Sequence, residues 1–293
     1  MTPERLAAGL IFPESPRWHG GRLWLSDLIS RQVLTITGEG EVTVRAQFDD
    51  NPSGLGFLPG GDALVVLMRT RRVMRIADAD ISVHADLSGI PGRRLNDMHT
   101  DAQGVCYLDN LQGSSRDESD HRQDSLLCID QAGHVSLAAA GLTRPNGIAG
   151  TADGRGLIVA ETSARRLTRF RVSDDGSLTG REVFADVSPA HPDGICLDAE
   201  GNVWLGSPYT SEFLRVREDG TVLDRIQVPG EWAVACALGG PDGHTLYLVT
   251  ARTTREAVQT RGESAGFVSV VSVDVPAATR NGVASPQTGE SGL

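Results

Sequence analysis

The feature that most narrows the possible folds is a unit that recurs along the whole chain. Its clearest copies begin Pro145-Asn146-Gly147-Ile148 and Pro192-Asp193-Gly194-Ile195, turn at Asp153-Gly154 or Glu200-Gly201, and enter the apolar runs Leu157-Ile158-Val159-Ala160 and Val203-Trp204-Leu205-Gly206. Three more lie upstream. Glu14-Ser15-Pro16-Arg17-Trp18 leads through His19-Gly20-Gly21 to Leu23-Trp24-Leu25-Ser26-Asp27, and Pro52-Ser53-Gly54-Leu55 leads through Pro59-Gly60-Gly61-Asp62 to Ala63-Leu64-Val65-Val66-Leu67. Leu95-Asn96-Asp97-Met98 leads through Asp101-Ala102-Gln103-Gly104 to Val105-Cys106-Tyr107-Leu108. The last copy starts near Trp232-Ala233-Val234-Ala235 and ends in Gly266-Phe267-Val268-Ser269-Val270-Val271-Ser272-Val273.

Each copy reads as a strand, a glycine turn, a second strand and then a third with alternating apolar residues, as in Gln32-Val33-Leu34-Thr35-Ile36. A period of two with glycine turns specifies antiparallel hairpins. Six units of about 40 to 50 residues built this way are the signature of a β-propeller. The sequence therefore predicts an all-β, six-bladed β-propeller in a single domain over residues 1–277, with residues 278–293 as a flexible C-terminal tail. Leu6-Ala7-Ala8-Gly9-Leu10 is expected to complete the last blade and close the ring.

In a propeller the inner strands line a central channel, so equivalent positions form a ring. The repeat aligns Glu14, Ser53, Asn96, Asn146, Asp193 and a residue near Ala233. Taken singly, Asn-Gly and Asp-Gly are turn pairs, and Glu14 is a solvated residue ahead of a strand. Their coincidence at one repeat position argues instead for a metal site in the central channel. Two carboxylates, two amides and a hydroxyl around one axis suit a hard cation with oxygen ligands, Ca²⁺ above all. No ring position is His or Cys, the residues a dedicated zinc site favours.

At this point the chain resembles the SMP-30/gluconolactonase/luciferin-regenerating-enzyme-like (regucalcin-like) family, calcium- or zinc-dependent propellers that hydrolyse lactones. The resemblance covers about residues 9–275 and rests on Phe12-Pro13-Glu14-Ser15-Pro16-Arg17-Trp18, Arg94-Leu95-Asn96-Asp97, Arg144-Pro145-Asn146-Gly147, Pro192-Asp193-Gly194-Ile195-Cys196-Leu197-Asp198 and Cys236-Ala237-Leu238-Gly239-Gly240. It implies that Glu14, Asn146 and Asp193 are the metal ligands and that Asp193 is also the general base. It implies that Arg94 binds substrate oxygens, that Asn96 beside the metal contacts substrate or a metal-bound water, and that one divalent ion is bound, Ca²⁺ first, with Zn²⁺ or Mn²⁺ as alternatives. The implied reaction opens a lactone or related ester of a small polar substrate to its hydroxy acid, using water activated by the metal.

Three stretches depart from that pattern. A polar insertion, Gln112 to Gln123, reads as mobile surface, with a lid as the alternative, and Gly206-Ser207-Pro208-Tyr209 stands where relatives often carry Ala-Asp-Pro, which would alter one wall of the pocket. His99, three residues after Asn96, reads as a packed or surface histidine; Trp204 reads as blade core, while Trp232 could face either the core or the pocket.

Other functions are poorly supported. The 27 Lys and Arg against 38 Asp and Glu give a net charge of -11 without a clustered basic footprint, which argues against nucleic acid as a partner. No apolar run approaches the ~20 residues of a membrane helix, and Met1 to Pro16 lacks the basic and apolar regions of a signal peptide, so a cytoplasmic location is expected. Cys106, Cys128, Cys196 and Cys236 form no CxxC pair and read as reduced core thiols. No nucleophile elbow or phosphate-binding glycine loop is found. Two other readings of the scaffold are a biosynthetic cyclase or isomerase and a non-enzymatic binding propeller; the oligomeric state is left open.

Overall fold

The protein is described from a computed structural model, which covers residues 1–78, 80–113, 124–254, 256–257 and 262–278. A first strand, β1 (Glu4–Leu10), stands apart from the chain order that follows. Blade 1 comprises β2 (Pro13–His19), β3 (Arg22–Asp27), β4 (Gln32–Ile36) and β5 (Val42–Gln47). Blade 2 comprises β6 (Pro52–Phe57), β7 (Ala63–Leu67), β8 (Arg72–Ala77) and β9 (Asp80–Asp86), and blade 3 comprises β10 (Arg94–Thr100), β11 (Cys106–Leu111), β12 (Asp124–Ile129) and β13 (Val135–Leu142). In blade 4 the strands are β14 (Pro145–Gly150), β15 (Gly156–Glu161), β16 (Arg166–Val172) and β17 (Leu178–Asp186). In blade 5 they are β18 (Ile195–Leu197), β19 (Val203–Ser207), β20 (Glu212–Val216) and β21 (Val222–Gln227). Blade 6 takes β22 (Trp232–Gly239), β23 (Thr245–Arg252) and β24 (Ala265–Ser272) from the end of the chain, and β1 from its beginning.

All these ladders are antiparallel, and the strand that opens each repeat is the innermost. Each inner strand packs against the inner strands of the two neighbouring blades, β22 against β2 included, so the ring is closed. The six-bladed β-propeller expected from the repeats is present, and so is its closure: β1 pairs with β24, with Ala8 opposite Phe267 and Leu10 opposite Gly266. Of the expected tail, all but Ala278 lies outside the described residues, as does the insertion from 114 to 123.

The apolar core is divided rather than central. Among the described residues, six clusters of buried apolar side chains each fill one interface between neighbouring blades. Strand alternation explains the division. Along β7, Ala63 and Val65 face blade 1 while Leu64 and Val66 face blade 3, which is why this strand is apolar throughout. Trp204, expected as blade core, is 1% exposed in the interface between blades 5 and 6.

The closing strand also binds through polar contacts, with the Arg5 guanidinium donating to Glu231 at 2.9 Å and stacking over the Phe267 ring at 4.1 Å. Removing residues 1–10 takes away this strand ladder and exposes the partners of Ala7 and Leu10. The thermal unfolding midpoint is expected to fall by about 10 °C or more, on a scale of about 2–4 °C per kcal/mol for a domain of this size. An unchanged midpoint in a calorimetric scan would show that closure contributes no stability.

Candidate metal centre and active site

The residues singled out by the repeat meet at one end of the channel. Pro13, Pro52 and Pro145 open their strands, where the missing N–H costs no ladder bond. The polar residue that follows stands at the strand end nearest the axis. In five of the six inner strands the register slips by one residue beside the ring position, at Glu14/Arg17, Pro52/Leu55, Leu95/Met98, Pro145/Ile148 and Ala233/Ala235. Such a bulge re-aims side chains that strict alternation would send into the blade interfaces.

The glycine after the ring residue has a different task from the turn suggested by its sequence pair. Gly54, Gly147 and Gly194 are not in the left-handed region, and Asn146-Gly147 lies within β14. What each permits is close approach of the next inner strand. A Cβ on Gly147 would lie 2.4 Å from the Asp193 carbonyl oxygen, and one on Gly194 would lie 2.3 Å from the Ala235 side chain. The N–H of Gly147 donates to the Asp193 carbonyl at 3.1 Å, and that of Gly194 to the Val234 carbonyl at 2.9 Å. Blades 4, 5 and 6 are thus linked backbone to backbone beneath the ring.

Four ring side chains join in a relay. Ser53 Oγ donates to Asn96 Oδ1 at 3.2 Å, Asn96 Nδ2 donates to Asn146 Oδ1 at 2.9 Å, and Asn146 Nδ2 donates to Asp193 Oδ1. Glu14 completes the circuit electrostatically. Its carboxyl is held well above the usual carboxylate range, by burial first and then by the charges of Asp193 and Asp97, with the Ser15 N–H and Arg17 acting the other way. Burial also pushes Asp193 up to about 7; Arg144 and the Asn146 amide oppose the shift, and Asp97 adds to it. Both side chains keep partial solvent contact at the channel floor.

Asp97 is the residue that repeat reasoning did not single out. It follows Asn96 in the bulge and reaches across the channel, accepting from Arg17 Nη2 at 2.9 Å, Ser15 Oγ at 3.3 Å and the Ile148 N–H at 3.2 Å. Blades 1, 3 and 4 are therefore tied through one carboxylate. The adjacency Asn96-Asp97 was visible, but a span between blades is not a local property of the sequence. A second tier of carboxylates holds the backbone behind the ring. Asp27 accepts the N–H groups of Ile11 and Phe12 at 2.7 and 3.0 Å, ahead of Glu14. Asp109 accepts those of Asn96 and Asp97 at 2.6 and 3.2 Å, and Glu161 that of Thr143 at 2.7 Å.

The oxygens at this end are carboxylate, amide and hydroxyl, the donor chemistry of a hard divalent cation. Among the described residues no group of three or more His, Cys, Asp or Glu side chains could hold a metal ion. The donor set is instead two carboxylates completed by neutral oxygens, because Asp97 is committed to Arg17.

Arg94 opens β10 on the blade 3 side, with its Nε buried and without a hydrogen-bond partner. Burial lowers its pKa, and the neighbouring charge of Arg144 adds to that. His99 is a packed residue: a Cβ on Gly150 would lie 2.4 Å from its Nε2. Of the divergent stretch 206–209, Tyr209 is 48% exposed and meets His191 and Trp232 edge to face at 4.9 and 5.8 Å. Trp232 also meets Phe12 edge to face at 6.5 Å, so it is half-buried among rim aromatics as well as packed on the core. The insertion starts beside Arg94, which pairs with Leu111, and the Gln112 N–H donates to Asp124 at 2.7 Å; residues 114–123 of the candidate lid lie outside the described residues.

The four cysteines are free, and Cys196 and Cys236 of neighbouring inner strands approach to 3.8 Å between sulfurs. Among the described residues no helix is long and apolar enough to cross a membrane.

A family model described as the SMP-30/Gluconolactonase/LRE-like region matches residues 12–252. The pentonolactonase of Haloferax volcanii is 30% identical over 74% of this chain and 75% of its own length. A 6-deoxy-6-sulfogluconolactonase from Pseudomonas putida is 30% identical over 64% of this chain and 65% of its own length. Of solved structures, a luciferin-regenerating enzyme superposes with a TM-score of 0.81 at 18% identity, covering 95% of this chain and 98% of its own. A calcium-binding protein, regucalcin, from Agrobacterium tumefaciens superposes with a TM-score of 0.73 at 24% identity, covering 92% and 94%. The two superpositions establish a shared propeller fold.

Asp97 offers a test of how the channel is held. Asp97→Ala strands a largely buried Arg17 and the Ile148 N–H, and removing one partner of a buried pair costs about 3 to 5 kcal/mol. Urea unfolding is expected to show a loss of that size. A loss below about 1 kcal/mol would mean that this carboxylate does not tie the blades together.

Proposed function

This chain belongs to the SMP-30/gluconolactonase/LRE-like family, and we propose that it is a lactonase, a metal-dependent hydrolase that opens a lactone or related ester of a small polar, sugar-like molecule to the hydroxy acid. The observation that carries this reading is the convergence of Glu14, Asn96, Asn146 and Asp193 from four blades on one end of the channel, with a linked relay through the last three. The relatives named as lactonases support the reaction class, from a pentonolactonase to a gluconolactonase of Zymomonas mobilis.

Glu14, Asn146 and Asp193 would hold the ion, Ca²⁺ before Zn²⁺ or Mn²⁺, since their oxygens are hard donors and a regucalcin of the same fold is titled calcium-binding. When bound, a divalent cation polarises a lactone carbonyl and lowers the pKa of a coordinated water.

The remaining work falls to the chain. Asp193, held by the Asn146 amide, takes the proton of the attacking water. Asn96, whose amide lies between Ser53 and Asn146, positions the lactone oxygens. Arg94, at the start of the strand that carries Asn96, lends its guanidinium to the same oxygens. The water oxygen becomes a carboxylate oxygen, the acyl to ring-oxygen bond breaks, and the ring oxygen leaves as a hydroxyl with the proton returned to it. The substrate is a small soluble molecule rather than a nucleic acid or membrane, and the closely spaced free thiols fit a reducing, cytoplasmic compartment.

Two experiments test the reading. After chelation, lactone hydrolysis on a panel of aldonolactones is expected to be lost and restored by Ca²⁺, Mn²⁺ or Zn²⁺, and Glu14→Ala or Asp193→Ala should lower kcat/KM by at least about a hundredfold, the scale on which proton transfer contributes. Full turnover without metal, or in either variant, would refute the mechanism. In ¹⁸O-labelled water one labelled oxygen should enter the product carboxylate; a ring-opened or rearranged product without label would replace hydrolysis by an isomerisation.

A further inference from the structure

The rim of the channel is chemically two-sided. Blades 3 and 4 carry Arg94 and Arg144, and in the sectors facing them Trp232 of blade 6 packs on the buried Phe12 ring and meets the exposed Tyr209 of blade 5. Arg94 Nε is buried without a partner, and the charge of Arg144 acts on Asp193 without a hydrogen bond to it. Among the described residues no ion pair involves Arg94 or Arg144.

The carboxylates nearest Arg94 are engaged elsewhere. Asp109 holds the N–H groups of Asn96 and Asp97, and Asp124 holds those of Gln112 and Arg144 at 2.7 and 3.1 Å. Arg94 Nε is buried and unpartnered, an orphaned donor of the kind that a ligand oxygen relieves. Arg144 directly precedes Pro145-Asn146 and sits at a φ of 54°, a left-handed conformation that side-chain-bearing residues seldom adopt. Its backbone N–H is pinned to Asp124, which fixes the start of the side chain at the rim beside the relay. Two adjacent guanidiniums repel unless an anion lies between them, and a guanidinium fork matches a carboxylate, sulfonate or phosphate in two hydrogen bonds.

Resting on the lactonase reading, we infer that Arg94 and Arg144 together seat an anionic substituent of the substrate, so that the preferred lactones carry a carboxylate, sulfonate or phosphate away from the ring carbonyl. The aromatic side then takes the apolar face of the ring. Arg144 is the specificity-determining partner, because it stands outside the relay while Arg94 also serves the lactone oxygens.

The test compares D-glucono-1,5-lactone with its 6-carboxylate, 6-sulfonate and 6-phosphate counterparts on the metal-loaded full chain. Wild type is expected to favour at least one anionic lactone over the neutral one by tenfold or more in kcat/KM, chiefly through KM. Arg144→Gln should reduce that ratio at least tenfold, Arg144→Lys should restore part of it, and raising salt from 0.05 to 0.5 M should erode it in wild type. Equal or better use of the neutral lactone by wild type, or an unchanged ratio in Arg144→Gln, overturns this inference and leaves the lactonase reading intact. Hydrolysis of no lactone, neutral or anionic, overturns both. The wild-type ratio decides the question even if a variant fails to fold.

Discussion

The site depends on how closely neighbouring inner strands can approach. Side chains as short as Asn, Asp and Ser meet across an axis only if their backbones come nearly into contact, and Gly147 and Gly194 are where that contact occurs. With no Cβ in the way, a hydrogen bond forms between strands of different blades. In five of the six blades a bulge beside the ring position then turns the side chain inward. Proline, ring residue and glycine are thus three parts of one device: strand start, oxygen donor and clearance.

Such a ring would collapse or splay without support, since carboxylates repel and amides can rotate. Support comes from oxygens one layer back. Asp27, Asp109 and Glu161 each hold backbone N–H groups close to a ring residue, so the polypeptide at Glu14, Asn96 and Asn146 is clamped rather than draped. Asp109 is fully enclosed, and burial pushes its carboxyl well above the usual range despite those two donors. Asp97 works across the axis instead, where Arg17 offsets its charge. The apolar clusters lie between blades and leave the channel to polar chemistry.

The sequence was legible wherever a property repeats. The number of blades, the strand that opens each, the closure by residues 6 to 10 and the convergence of Glu14, Asn96, Asn146 and Asp193 all follow from the period and from the slot after proline. What was not legible is what happens once per molecule. Asp97 spans three blades, Cys196 meets Cys236, and Phe12, Tyr209 and Trp232 gather from three blades into one rim; each pairing depends on geometry between repeats. The Asn-Gly and Asp-Gly pairs are a case apart. Their composition is that of a turn, yet here the glycine answers a steric demand from the next blade rather than a left-handed φ.

The closing strand has a temporal meaning. β1 leaves the ribosome before the other strands of the ring and β24 after them, so blade 6 cannot be assembled until every other blade has been made. Until then the five other blades form an open arc with a long-range contact outstanding, the kind of topology that folds slowly. Glu14 follows β1 by only a few residues, on a segment that Asp27 pins, and its opposite number Asp193 lies on the far side of the gap. The carboxylates face one another only when the circle is complete. A half-synthesised or opened propeller therefore lacks the paired carboxylates, and their meeting is a report that folding has finished.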